Sequence, residues 1–248
     1  MIRPVGPADL DHLCFHPVWS CLRRHCRHLP VPRPRRPPCQ RRQTVGNLAA
    51  RAGRRTGNHR EIRLRRGSPA GHRDRVLIRR ETARDTDVIR AITAAAFAAG
   101  RPPGQTVPEA RLIDELRASP AWLPALSLVA LTPTGEIIGH VLGSRGYVGQ
   151  DPVLAVGPLA VRPDYQRHGV GSALMHAILG AADALGEPLV ALLGDPGYYR
   201  RFGFELSTAY QITPPRPAWQ PHFQVRVLSG YQPRLRGMFT YSEPFDRT

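Results

Sequence analysis

The chain has 248 residues and a formal net charge of +16, with no Lys, so that all 35 of its Lys and Arg positions are Arg. That length admits one well-cored domain with an appendage, or two small domains. No apolar run approaches the ~18 residues that cross a bilayer, and residues 1–30 lack the apolar stretch of a secretory leader, so the expectation is a soluble, cytoplasmic protein with no membrane partner.

The charge is unevenly placed. Residues 1–75 hold 18 Arg against 4 acidic residues, whereas residues 76–248 hold 17 Arg against 15. All four cysteines, Cys14, Cys21, Cys26 and Cys39, fall in the first part. The rest has no thiol to oxidise and suits a reducing compartment. The run LPVPRPRRPPCQRRQ (29–43) joins prolines to mutually repelling arginines, and no helical or strand period is sustained up to Arg75. Residues 1–75 therefore read as an Arg/Pro-rich, disordered extension. Three uses compete for it. Clustered Arg would hold nucleic acid through its phosphates. Cys21, His25, Cys26, His28 and Cys39 could form a small metal site, but C-x4-C lacks the paired C-x2-C and H-x3-H spacing of a zinc module. The third reading is an extension without function, or residues added by an upstream start codon.

From Val76 a regular pattern begins, and residues 76–248 read as one folded domain. Residues 76–80 suit a short strand. Thr82 and Asp85 follow as caps for a helix to about Ala99, with Val88, Ile89, Ile92 and Ala96 on its apolar side. The stretch Gly-Arg-Pro-Pro-Gly (100–104) breaks it. Pro108 opens a second, short helix with Ala110, Leu112, Ile113 and Leu116 inward. Residues 126–131 and 136–144 form two strands about the turn Thr-Pro-Thr-Gly (132–135), and a fourth strand covers 153–161. Val170, Leu174, Ala177, Ile178, Ala181 and Leu185 recur at helical spacing. Residues 189–193 then make a short, wholly apolar strand, parallel to the fourth because a helix lies between them. Residues 198–202 suit a brief helix and 223–228 another strand. The fold class is α/β with a mixed sheet.

Between the fourth strand and its helix lies VRPDYQRHGVGSAL (161–174). A helix N-terminus offers unpaired N–H groups and the positive end of the dipole. Gly169 and Gly171 lack the β-carbons that would hold an anion off those amides, and Arg167 adds charge. The stretch reads as a pyrophosphate cradle, against the plainer reading of a glycine-eased turn. Two other nucleotide motifs fail: position 174 is Leu where a Rossmann fingerprint needs its third Gly, and a P-loop needs the Lys this chain lacks.

These residues resemble motif A of the GCN5-related N-acetyltransferases, [QR]-x-x-G-x-[GA], matched by Gln166, Gly169 and Gly171. Tyr-Arg-Arg-Phe-Gly-Phe (199–204) resembles that family's Tyr-x-x-x-Gly-Phe. GPLAVRPDYQRHGVGSAL, LLGDPGYYRRFGFE and the closing FQVRVLSGY and GMFTYSEPF are similar to its YhbS-like subgroup. The likeness runs from 76 to about 230, and nothing before Val76 shares it.

The resemblance implies the acyltransferase fold of that family and direct transfer of acetyl from acetyl-CoA to an amine in a ternary complex. It implies coenzyme contacts from Leu159, Ala160 and Val161 through the backbone and from Gln166, Arg167, His168, Gly169, Val170, Gly171 and Ser172 at the cradle. Pro158 after Gly157 would mark the strand irregularity that frees an N–H to polarise the thioester carbonyl. Tyr199 would protonate the leaving thiolate, against the plainer reading of a packed aromatic. The family's Glu on the fourth strand has no counterpart in VLAVGPLAV. Asp151, Glu136 and His140 are the candidate bases, each with a plain structural explanation. Asp195 is expected to cap the short helix, and Trp122 and Trp219 to be core or pocket wall. The acceptor pocket would come from the first two helices and C-terminal loops, its amine unidentified, and a homodimer is common in the family. The competing function is a nucleic-acid-associated protein in which residues 1–75 bind and the folded part is a scaffold.

Overall fold

The computed structural model describes residues 76–98, 101–102 and 106–247. The readings of residues 1–75 as disordered, as a nucleic-acid arm or as a metal site lie outside the described residues, as does most of the breaker at 100–104.

The strand β1 (Leu77–Arg80) leads into α1 (Thr86–Phe97), whose N-cap residue, Asp85, turns its carboxylate back to the preceding residues. That carboxylate accepts the Thr82 N–H at 2.7 Å and a two-pronged contact from Arg79 at 2.7 and 3.0 Å. The helix buries Ile89, Ile92, Thr93, Ala96 and Phe97, while Val88 is exposed because it sits about 100° around the axis from that stripe. Pro108 opens α2 (Pro108–Arg117), which turns Leu112, Ile113 and Leu116 inward.

The antiparallel strands β2 (Trp122–Leu131), β3 (Ile137–Val148) and β4 (Asp151–Val161) follow. They are longer than their apolar pattern predicts. Next come α3 (Val170–Ala184) and β5 (Leu189–Leu193), which runs parallel to β4. Leu174, Met175 and Ile178 of α3 are fully buried on the sheet, each worth roughly 1.5–3 kcal/mol of burial. Leu185, placed on that stripe by its spacing, is exposed: the helix ends at Ala184 and the chain turns there.

The short helix α4 (Pro196–Tyr199) continues as a 3-10 turn at Arg200–Phe202. The strands β6 (Glu205–Leu206), β7 (Ile212–Thr213), β8 (Phe223–Val227) and β9 (Gly237–Thr240) complete the chain. The sheet order is β1-β2-β3-β4-β5-β8-β6, with β9 beside the far end of β3 and β7 beside β9. The fold is therefore mixed α/β, with α1 and α2 packed against one apolar set and α3 against another. Among the described residues no helix is long and apolar enough to cross a membrane.

Candidate active site

Two strands that begin as neighbours part company at the site. The strands β4 and β5 pair only at Leu154↔Val190 and Ala155↔Ala191. Beyond Ala155 they share no further rung, although β4 continues to Val161 and β5 to Leu193. The other edge of β4 stays paired with β3, at Val141↔Leu159, His140↔Ala160 and Gly139↔Val161. So residues 159–161 keep an edge toward β5 with no strand on it among the described residues. An extended ligand can hydrogen-bond such an edge as an added strand would. The expected irregularity is present: the β3–β4 register shifts between Val141 and Gly143, opposite Gly157 and Pro158.

The chain leaves β4 through a 3-10 turn at Pro163–Tyr165 and reaches α3 through two residues of positive φ, Arg167 at 64° and Gly169 at 82°. Gly169 is the N-cap of α3, and no side chain caps the helix. Its first backbone bond is Ala173 N–H to the Gly169 carbonyl at 2.9 Å. The amides of Val170, Gly171 and Ser172 precede it and have no acceptor within the helix. A backbone alternating through left-handed residues turns successive N–H groups toward one point, and the helix dipole adds positive potential there. A β-carbon at Gly169 would meet nothing within 4 Å, so that side of the turn is open. The residues present therefore fit a diphosphate.

The side chains around the turn act differently from the backbone. Gln166 donates to the Val161 carbonyl at 3.0 Å, tying the turn to the end of β4. His168 Nδ1 lies 2.8 Å from the Gln166 carbonyl, and both His168 and Arg167 are exposed. Leu159 and Val161 point toward α3, since each would lie at 3.6–4.0 Å from a β-carbon on Gly171, whereas Ala160 packs with Ile92, Ala96 and Phe97 of α1.

Beyond the fork stand two adjacent tyrosines with different surroundings. Asp195 caps α4 by accepting the Gly197 N–H at 2.8 Å, as its position predicts. Tyr199 is 9% exposed, and its ring packs on Tyr198, Phe202 and Phe204. A β-carbon on Gly194, at the end of β5, would overlap that ring. The Gly194 carbonyl accepts from buried Gln224 at 3.0 Å. Burial pushes the Tyr199 hydroxyl well above its ordinary range, with the Tyr198 ring and Asp195 adding to it, so it stays protonated near neutrality.

The candidate bases separate. Glu136 pairs with Arg162 on the surface, and Asp151 is half exposed with Arg234 at 4.0 Å. His140 is fully buried. Its Nε2 lies 3.1 Å from Glu81 Oε2 and 2.9 Å from Ser127 Oγ, and Arg117 Nε donates to the same carboxylate at 2.9 Å. Burial holds the His140 pKa below its ordinary value. Burial alone would raise Glu81, but hydrogen bonds from His140, Arg117 and Ser127 outweigh it and bring the carboxyl to about 2. Glu81 and Arg117 were invisible in the sequence pattern, because the four members come from four separate elements. Trp122 and Trp219 are half-buried against the apolar clusters under α2 and around β8 and β9.

The Acetyltransferase (GNAT) family profile matches residues 93–204, which contain β2 to β5, the cradle and both tyrosines. The uncharacterized N-acetyltransferase YhbS of Escherichia coli K12 is 34% identical over 142 residues, 56% of this chain and 84% of that protein. The chain belongs to the GNAT acetyltransferase family. A second GNAT relative, the uncharacterized N-acetyltransferase YjhQ of the same organism, is 34% identical over 55% of this chain and 79% of its own length. Two crystal structures of GNAT proteins share the fold. YhbS from Escherichia coli in complex with CoA superimposes with a TM-score of 0.63 and 31% identity, covering 70% of this chain and 93% of that one. A GNAT acetyltransferase from Brucella melitensis in complex with acetyl-CoA gives 0.57 and 31%, covering 70% and 99%.

Proposed function

We propose that residues 76–248 form an acetyl-CoA-dependent N-acetyltransferase domain that moves an acetyl group directly to a primary amine of a small molecule or protein. Acetyl-CoA is the co-substrate, as the family membership and the CoA and acetyl-CoA complexes of the two GNAT neighbours indicate. The observation that carries the reading is continuous: the free edge of β4 runs straight into an uncapped helix N-terminus reached through left-handed residues. The amides of residues 167–172 would hold the diphosphate, and the edge of Leu159, Ala160 and Val161 would pair with the pantetheine arm. A main-chain N–H at the Gly157 and Pro158 irregularity would polarise the thioester carbonyl.

In the reaction the amine nitrogen bonds to the acetyl carbon as the carbon–sulfur bond breaks. The departing sulfur takes the Tyr199 proton, the amine loses a proton to solvent, and Tyr199 regains one from solvent before the next turnover. Tyr199 suits this role because its ring is clamped by Gly194 and Phe204, which would hold the hydroxyl in one place. Calorimetry with acetyl-CoA, followed by a panel of amines with free thiol release as readout, tests the proposal. Saturable binding and amine-dependent thiol release are expected, and absence of heat with acetyl-CoA overturns it.

A further inference from the structure

Motif A gives its two glycines the same purpose, but this fold gives them different neighbours. Around Gly169 a β-carbon finds open space, whereas at Gly171 it would meet the Tyr198 hydroxyl at 3.0 Å before any other atom. Tyr198 comes from α4, across the fork from the cradle. Its ring is fixed on three sides, edge-on to Tyr199 at 4.9 Å, tilted on Phe202 at 5.5 Å and under the Arg201 guanidinium at 4.9 Å. Arg201 Nε also donates to the Tyr198 carbonyl at 3.0 Å, so the cation and the ring are set together. The phenol also lies near the Ser172 side chain, on the first turn of α3. A phenol accepts and donates, whereas a backbone amide only donates. The Tyr198 hydroxyl, placed against Gly171, therefore stands beside the first amides of α3 with a proton it can give to an anion there.

We propose that Tyr198 is a coenzyme-binding residue whose hydroxyl donates to the diphosphate held at the N-terminus of α3, and that Gly171 is glycine to admit this hydroxyl. The assignment rests on the acetyltransferase reading and adds to it a donor from α4. The adjacent tyrosines then have separate roles, with Tyr198 holding the coenzyme and Tyr199 meeting the sulfur. Gly171 is not among the glycines of positive φ, so its backbone does not call for glycine, whereas that of Gly169, at 82°, does.

Calorimetric titration of CoA into the full chain and three variants tests the assignment. Tyr198→Phe keeps the ring and its packing, and is expected to weaken CoA binding about tenfold, the worth of one hydrogen bond to a charged acceptor. Gly171→Ala is expected to weaken binding in the otherwise natural chain by displacing the hydroxyl. The same change should cost little when made on top of Tyr198→Phe, because the clashing atom is gone. Equal CoA affinity in the natural chain and Tyr198→Phe overturns the assignment alone. Fully additive penalties overturn it as well, since Gly171 would then serve the phosphate directly. A natural chain that binds no CoA brings down the acetyltransferase reading and this assignment together.

Discussion

The two faces of the sheet carry their polar groups in different ways. On the α3 side the groups are main-chain amides and one ring hydroxyl, gathered from residues 166–172 and 198, and open toward a ligand. On the α1 and α2 side they are the side chains of Glu81, Arg117, Ser127 and His140, closed upon one another. A Ser, a His and a Glu in contact invite comparison with a nucleophile, base and orienting acid. The geometry excludes that chain of command, because Ser127 and Glu81 both meet Nε2 of His140 while Nδ1 has no partner among the described residues. An orienting acid must hold the nitrogen opposite the nucleophile. The closed cluster therefore ties the end of β1 to α2, β2 and β3, and the open one is where we propose the coenzyme binds.

The largest effect should come from breaking the closed face. Glu81→Ala takes the shared carboxylate from both His140 and Arg117, leaving His140 to Ser127 and Arg117 to Asp114, and removing one partner of a buried ion pair costs up to about 3–5 kcal/mol. Urea or thermal unfolding should register that loss, while CoA affinity of the folded protein stays near that of the natural chain. The same cluster sets an acid limit. Glu81 titrates at about 2 when folded and near 4.5 when free, so its contribution is complete above the ordinary value and is lost as pH falls toward 2. His140 acts in the same direction: its folded pKa lies below 6.5, so the unfolded chain takes up a proton first as the solution is acidified. Stability should fall steadily from about pH 6.5 downward. Glu81→Gln should flatten the part of that slope below pH 4.5.

Breaking the open face should affect chemistry and leave stability nearly intact. Tyr199→Phe keeps the ring against Gly194 and Phe204 but removes the proton. The expected loss is about 100-fold in kcat, the lower range for a general acid, with CoA affinity preserved. Thiol release with the amine found in the panel reads it. An unchanged kcat would return Tyr199 to the role of a packed aromatic.

The contrast also accounts for what the sequence could reveal. The cradle, its strand and its helix are contiguous, so Gly169 and Gly171 can be read from their place between strand and helix, and the resemblance to motif A adds Gln166. The short strand at Leu189–Leu193 is equally plain, because burial on both faces makes all five residues apolar. The closed cluster spans 59 residues from Glu81 to His140 and has no local period. The strand β3 reaches Val148 instead of stopping at Ser144 because its hairpin with β4 continues to Val148↔Asp151, and β9 adds rungs on the other edge at Tyr147↔Thr240 and Val148↔Phe239, partners more than 90 residues away. β6 and β7 have two residues each, too few for any alternation to register. Gly171 shows the limit within the cradle itself: its spacing is legible, but the hydroxyl it admits comes from another element.

The smallest effect expected is at Gly169, and it separates backbone from space. Gly169→Ala adds a methyl that meets no other residue, so its penalty on folding comes from φ at 82°. An L-residue in that region costs about 1–2 kcal/mol. If the chain keeps the left-handed turn, the cost appears in the unfolding midpoint and CoA still binds. If it relaxes the turn to avoid the cost, the first amides of α3 swing away and CoA affinity falls while the midpoint barely moves. We expect the first outcome, because Gln166 ties the turn to the Val161 carbonyl and Val170, buried at the next position, holds the helix start against the sheet. Adding Gln166→Ala to Gly169→Ala removes the tie, and the same methyl should then shift its penalty from stability to coenzyme binding.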